Sequence, residues 1–192
     1  EITIIDGDNV NPTNINRQLI AMHSTVGKPK TQILAQRLLD INPRLNIHIK
    51  QLYMDEVQTE ILLDEAKYDY VIDAIDTISP KIALLTGCLK RKIKVISSMG
   101  AGGRIDPTRI AYADISETYH CALAKAVRKR LKDAGISKGI KVVFSSEQPD
   151  RNAIIRTDEE RNKKSTVGTI SYLPAIFGCY LAAYVIRKLS QK

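Results

Sequence analysis

Glu1-Ile2-Thr3-Ile4-Ile5-Asp6-Gly7-Asp8 opens the chain, and Thr13-Asn14-Ile15-Asn16-Arg17-Gln18 and Lys28-Pro29-Lys30 follow it. Residues 1–5 read as a β-strand with two carboxylates at its carboxyl end. In open α/β sheets ligands bind beyond those ends, and an acidic residue after the second strand holds a ribose hydroxyl. Asp6 is therefore a candidate ribose contact. Asn14, Arg17 and Lys30 offer the amide, fork-shaped and point-charge donors that phosphates need. Taken singly, each piece has an ordinary explanation: a turn, an Asn-rich loop, a solvated helix start. Their order makes them specific.

Working outward, strand and helix signals alternate. Pro29 suits the first turn of a helix, where its missing N–H is not needed, and Asn42-Pro43 ends that helix near residue 41. Residues 7–28 are a polar loop with a short helical turn near 14–19. Residues 46–52 read as a strand with Ile47 and Ile49 on one face. Residues 55–66 form an amphipathic helix whose first-turn acids favour the dipole. Residues 68–75 form a buried strand, because Val71-Ile72-Asp73-Ala74-Ile75 is nearly continuous apolar sequence. Ser79 caps the next helix and Pro80 opens it; it runs to about residue 92, and residues 94–98 form another strand. Such alternation predicts a parallel sheet with right-handed crossovers, with residues 2–5, 71–75 and 94–98 in one sheet.

The texture changes after Gly100-Ala101-Gly102-Gly103. Residues 109–113 and 140–145 look like strands around a basic helix at 117–134, stopped by Gly135. Residues 150–166 lack periodicity and predict a mobile loop. Residues 167–186 carry no charge, and length alone permits a membrane span. Gly168, Thr169, Ser171, Pro174, Gly178 and the tyrosines favour instead a buried, close-packed helix at a subunit interface. The predicted class is α/β: a Rossmann-like, mostly parallel sheet with helices on both faces and an antiparallel extension in the C-terminal half. One domain is expected over residues 1–192.

The 192 residues can bury a sizeable core, and the formal charge is +8. A basic surface suits a polyanionic partner such as RNA, although solubility alone explains it too. The three cysteines, Cys88, Cys121 and Cys179, lie far apart with no Cys-x-x-Cys. Neither a zinc ribbon nor a disulfide framework is suggested, and a reducing, cytoplasmic setting is the simplest inference. Cys88 and Cys179 read as core residues; Cys121, on the basic helix, is the one candidate nucleophile. No signal peptide is visible. A nucleotide-binding α/β unit normally opens with a strand, a Gly-rich turn and a helix, with the acidic residue about twenty residues later. Here Asp6 arrives almost at once, so that first strand, Gly-rich loop and first helix are expected to be missing from this chain. Gly27-Lys28-Pro29-Lys30-Thr31 is no substitute, since a proline intrudes into the phosphate-loop pattern.

The order Asp-x-Asp, Asn-x-x-Arg-Gln, Pro-Lys and a later Asp resembles the nucleotide site of the ubiquitin-activating-enzyme-like adenylyltransferases. Within them the chain resembles the tRNA threonylcarbamoyladenosine dehydratases. The residues that carry this are Val71-Ile72-Asp73-Ala74-Ile75-Asp76-Thr77, Met99-Gly100-Ala101-Gly102-Gly103-Arg104-Ile105-Asp106-Pro107-Thr108, Val143-Phe144-Ser145-Ser146-Glu147 and the helix around Phe177-Gly178. The resemblance implies ATP-dependent adenylation of the threonyl carboxylate of threonylcarbamoyladenosine in tRNA, then intramolecular ring closure and release of AMP. It implies that Asp6 binds ribose, with Asp8 beside it. Thr13, Asn14 and Arg17 would line the phosphates, Lys30 would neutralise phosphate charge, and Asp76 with Thr77 would complete the site. Asp76 would also hold Mg²⁺, a hard cation that prefers carboxylate and phosphate oxygens. Arg17, Lys30 and Asp76 are then the catalytic residues, because adenylation brings negative charges together and fixed cations must offset them. A homodimer in the cytoplasm is implied, without a membrane partner.

Two other readings stand beside it. A sulfur-carrier or ubiquitin-like protein adenylyltransferase would use the same ATP chemistry on a protein C-terminus, with a sulfur-transfer or carrier-protein partner. A non-catalytic nucleotide- or RNA-binding scaffold would use none. For RNA, Lys125, Arg128, Lys129 and Lys132 fall on one face of the basic helix at three- and four-residue spacing. They are candidates to track phosphates without reading bases.

Overall fold

The computed structural model describes residues 1–156 and 165–191. They fall into two compact units, Glu1–Met54 and Asp55–Lys192.

In the first unit β1 (Ile2–Ile5) pairs in parallel with β2 (Ile47–Lys50), Ile2 opposite Ile47 and Ile5 opposite Lys50. Parallel neighbours need a crossover, and α1 (Lys30–Ile41) supplies it. Pro29 sits at the capping position just before α1, one residue earlier than expected, and Asn42 closes the helix through its N–H to Leu38 O. The intervening loop folds onto itself. Val10 N–H donates to Lys28 O at 2.8 Å and Gly27 N–H to Val10 O at 2.9 Å. The buried Thr25 hydroxyl donates to Ile20 O at 2.7 Å and accepts from Met22 N–H at 2.9 Å. The helical turns of the loop are Pro12–Asn14 and His23–Thr25. Ile47 and Ile49 do not share a covered face: Ile47 is half-buried and Ile49 is 46% exposed. α1 buries only Thr31 and Ala35, two small side chains, which is too little apolar surface to cover the strand pair.

The second unit holds α2 (Glu56–Glu65), β3 (Val71–Asp73), α3 (Ile78–Lys90), β4 (Val95–Ser98), β5 (Ile110–Asp114), α4 (Ala122–Asp133), β6 (Lys141–Ser145), β7 (Ile154–Arg156), β8 (Ser165–Val167) and α5 (Tyr172–Ser190). Its four-stranded sheet has the order β3-β4-β6-β5. β3, β4 and β6 are parallel, and β5 runs antiparallel to β6. The strands alternate between two cores. Val95, Val142 and Phe144 face a core built with Leu63 of α2, Leu84, Leu85 and Cys88 of α3, and Ala124, Val127 and Leu131 of α4. Ile96, Ile110 and Val143 face Leu173, Phe177 and Leu181 of α5 on the other side. This is the α/β class with mostly parallel pairing, helices on both faces and an antiparallel extension.

The expected single sheet is not formed: β1 and β2 make a sheet of their own, separate from β3 and β4. β3 is also shorter than the apolar run suggests, and Ile72 is 46% exposed, so the strand is not buried on both faces. Thr77, not Ser79, stands at the cap of α3. Pro80 still lies among the first turn's N–H groups, where no hydrogen bond is lost. α4 begins later than residue 117. Asp114 caps a separate turn at Ile115–Glu117, and His120 has φ 54°, which breaks the helical path before Ala122. Gly135, with φ 78°, ends α4: Ile136 N–H returns to Leu131 O and Gly135 N–H to Lys132 O. Part of the expected loop at 150–166 is an antiparallel hairpin of β7 and β8; its residues 157–164 lie outside the described residues. α5 starts at Tyr172 and buries one stripe only, leaving Cys179 exposed rather than in the core. Among the described residues no helix is long and apolar enough to cross a membrane.

Candidate functional site

The first unit gathers three of the expected residues. Asp6 follows β1 directly. Its Oδ1 accepts from Asp8 N–H at 2.8 Å, which turns the chain so that both carboxylates face Lys30. Lys30 Nζ lies 2.8 Å from Asp8 Oδ2 and 3.8 Å from Asp6 Oδ2, and the lysine side chain is only 12% exposed. Lys30 N–H also donates to Asp8 O at 3.1 Å, tying the start of α1 to the end of β1. The turn requires glycine at position 7. A Cβ there would stand 2.7 Å from Tyr53 Cγ and 2.8 Å from the Tyr53 backbone nitrogen.

Thr13, Asn14 and Arg17 form a second cluster in the same unit. Asn11 and Asn14 cap one another: Asn11 Oδ1 accepts from Thr13 N–H at 2.9 Å, and Asn14 Oδ1 accepts from Asn11 N–H at 3.1 Å. Thr13 Oγ1 donates to Asn11 Oδ1 at 2.8 Å. Asn14 is thereby 8% exposed, and much of its amide serves the loop itself. Arg17 is half-buried, and its Nη1 donates to Thr13 O at 2.8 Å and Asn16 Oδ1 at 2.9 Å. The guanidinium is thus aimed by the loop, with donors to spare.

Asp76 and Thr77 belong to the second unit. They occupy the irregular segment after β3, with Asp76 exposed and Thr77 half-buried at the cap of α3. Among the described residues no three His, Cys, Asp or Glu side chains cluster as a metal cage. A Mg²⁺ held by one carboxylate and nucleotide phosphates needs no such cage, and the Asp76 carboxylate is an exposed oxygen donor of the type that cation takes.

Two buried charged sites, one an ion pair, were not anticipated. Asp73 and Lys81 are fully buried and paired at 2.7 Å, and Ser97 Oγ donates to the same Asp73 Oδ2 at 2.6 Å. The signal was present: Lys81 occupies a stripe with Leu84, Leu85 and Cys88 at helical spacing, all buried. Arg104 is the other, 4% exposed. It donates to Gly100 O at 2.7 Å, Gly102 O at 3.2 Å, Glu147 O at 3.1 Å and His120 O at 2.5 Å. The Glu147 carboxylate in turn accepts from Ile105 and Asp106 N–H at 3.1 and 2.8 Å. The run Gly100 to Thr108 is therefore a structural knot joining the chain after β4 to Glu147 after β6 and to the approach to α4.

On α4, Lys125, Lys129 and Lys132 are exposed opposite the buried Ala124, Val127 and Leu131. Arg128 is placed differently. It is half-buried, and its Nη1 donates to Thr118 O at 2.8 Å and to the Thr118 hydroxyl. It anchors the segment before the helix instead of facing outward with the lysines. Cys121 is buried at the cap of α4, where its Sγ accepts from Ala124 N–H at 3.4 Å. Burial pushes the Cys88 thiol up to about 12, and the Asp73 carboxylate adds to that rise.

Paired acids at the end of a parallel strand, a lysine held between them and an aimed arginine are the marks of an α/β nucleotide-binding protein. The chain belongs to the ThiF family, whose model matches residues 1–192. It is 41% identical over 195 residues to the tRNA threonylcarbamoyladenosine dehydratase of Bacillus subtilis, covering 98% of this chain and 76% of that protein. The crystal structure of the E. coli tRNA N6-threonylcarbamoyladenosine dehydratase in complex with ATP matches it with a TM-score of 0.87 at 33% identity, over 98% of this chain and 75% of that one. The same E. coli enzyme in complex with AMP matches with a TM-score of 0.84 at 32% identity, over 99% and 77%.

Proposed function

We propose that this protein is an ATP-dependent tRNA threonylcarbamoyladenosine dehydratase, which closes the threonylcarbamoyl side chain into a ring through a carboxyl adenylate. The carrying observation is the match to proteins of that name over 98% of the chain, together with the Asp6–Asp8–Lys30 cluster after β1. Matches of this breadth favour dehydration over adenylation of a carrier-protein C-terminus.

In this reading a threonyl carboxylate oxygen attacks the α-phosphorus of ATP and pyrophosphate leaves. The adenylate carbonyl is then attacked from within the same side chain, the attacking group gives up its proton, and AMP leaves carrying the former carboxylate oxygen, so the nucleoside is lighter by the elements of one water. Asp6 binds the ribose. Lys30 presents its ammonium to phosphate oxygens, which compete with Asp8 for it. Thr13, Asn14 and Arg17 line the phosphates, and Arg17 offsets charge that builds as the carboxylate approaches. Asp76 and Thr77 bind at the phosphates, and Asp76 holds Mg²⁺, which when bound neutralises further negative charge. The exposed Lys125, Lys129 and Lys132 track tRNA phosphates. The protein acts in the cytoplasm as a homodimer.

The test is ATP turnover by the full-length protein with and without tRNA carrying threonylcarbamoyladenosine. AMP and pyrophosphate should form only with the modified tRNA. Arg17→Ala and Asp76→Ala should each lose about 10²-fold or more in turnover. Turnover that ignores the modification, or near-normal rates in both folded variants, would reject the assignment.

A further inference from the structure

We infer that the buried Asp73–Lys81 ion pair positions the segment that carries Asp76. Burying two charges is costly, and an apolar pair of similar volume commonly serves stability as well or better. Net stability alone is therefore a weak account of a pair at zero exposure. Here it spans a gap in regular structure. Asp73 is the last residue of β3, Lys81 lies in the first turns of α3, and residues 74–77 between them are irregular.

The bonds of the pair hold both ends of that gap. Asp73 Oδ1 accepts from Ile75 N–H at 3.0 Å, which bends the chain as it leaves the strand. Asp73 Oδ2 accepts from Lys81 Nζ at 2.7 Å, tying the end of the strand to the helix across a separation of eight positions. Ser97, the register partner of Asp73 on β4, holds the same oxygen at 2.6 Å. Lys81 N–H also donates to Thr77 O at 3.4 Å. Asp76 thus sits between two points fixed to the core, on a loop too short to wander. A carboxylate that must meet developing charge gains from being held before the charge appears. Asp73, Lys81 and Ser97 are positioning residues in this account; none of them touches the nucleotide.

The inference rests on the role proposed for Asp76, and the test separates the two. It uses the full-length protein as wild type, as Asp73→Asn/Lys81→Gln, as Ser97→Ala and as Asp76→Ala. Urea unfolding, hydrogen exchange of peptides spanning 74–81, and kcat and KM for ATP are measured on each. Removing both charges together leaves no unpaired buried ion. The neutral pair should exchange faster across 74–81 than elsewhere and lose roughly 10- to 100-fold in kcat, the usual scale for a partner that orients a binding carboxylate. KM for ATP should move less than kcat. Ser97→Ala should shift both readouts the same way by a smaller amount. Unchanged local exchange with unchanged kcat in the folded neutral pair overturns the inference. So does a uniform loss of protection with unchanged kcat per folded molecule. If the neutral pair does not fold, Ser97→Ala decides by the same two readouts. Full turnover in Asp76→Ala would instead remove Asp76 from the site, and this inference with it.

Discussion

Replacing Gly7 with alanine puts a methyl group into the turn that sets Asp6 and Asp8 against Lys30. The new Cβ would lie 2.7 Å from Tyr53 Cγ, 2.8 Å from Cδ1 and 2.8 Å from the backbone nitrogen of Tyr53. Carbon atoms pack at about 3.5–4.0 Å, so all three contacts must open by the better part of an ångström. Tyr53 is 57% exposed, so its ring has solvent to yield into. The backbone nitrogen can move only with the chain that follows β2. Overpacking of this kind costs about 1–3 kcal/mol. The displacement falls on the residues flanking position 7, so the Lys30 geometry should loosen and KM for ATP should rise. Urea unfolding and ATP kinetics of Gly7→Ala, Tyr53→Ala and the double variant test this. The double variant should recover only part of the loss, since Tyr53→Ala removes the ring contacts and keeps the backbone one. Gly7→Ala within about 0.5 kcal/mol of wild type, the range of an ordinary surface change, with KM unchanged, would refute the reasoning.

Single replacement of Cys88, Cys121 and Cys179 by alanine should leave ring closure intact, because no thioester is needed and the Cys88 thiol, raised to about 12 by burial, carries no thiolate at neutral pH; lost activity in stable Cys121→Ala protein would point to a covalent mechanism. Arg91 bonds Glu60 at 2.6 Å and Asp64 at 2.7 Å, and its hydrogen bonds hold both carboxyls below their ordinary values of 4.5 and 3.8. Lowered folded-state values mean stabilisation that is present above those ordinary values and lost as pH falls through the folded ones. The gap in urea midpoint between wild type and Arg91→Met should therefore shrink on acidification below that range, and a gap that stays constant there would contradict the linkage. Reversing Lys125, Lys129 and Lys132 to Glu should weaken tRNA binding and flatten its salt dependence, as fewer counterions are released; an unchanged salt slope would clear α4 of that role.

The helix after Asp55, the crossover helices and the antiparallel turn of β5 were legible because each carries its own local signal: an Asp cap, a period of apolar residues, a glycine stop. The carboxylate pair was legible too, since Asp6-Gly7-Asp8 follows a strand without interruption. Local signals do not report pairing partners, which is why β1 was expected in one sheet with β3 and β4 and pairs instead with β2 alone. They do not report tertiary contacts either. Gly7 read as a turn residue, but a close approach by Tyr53 is what demands it. Arg104 read as part of a family motif, and only the carbonyls of Gly100, Gly102, His120 and Glu147 around it explain why a cation is buried there. Arg128 fitted the lysine face by helical spacing, yet Thr118, ten residues earlier, captures it.

The most direct test of the account follows the nucleoside itself. Full-length protein is incubated with ATP and tRNA bearing threonylcarbamoyladenosine, and the modified nucleoside is then released and weighed by mass spectrometry alongside AMP. The account predicts a nucleoside lighter by one water, formed in step with AMP, absent without ATP, and formed about 10²-fold more slowly with Arg17→Ala. A nucleoside of unchanged mass while AMP accumulates, or loss of water without ATP, would contradict it.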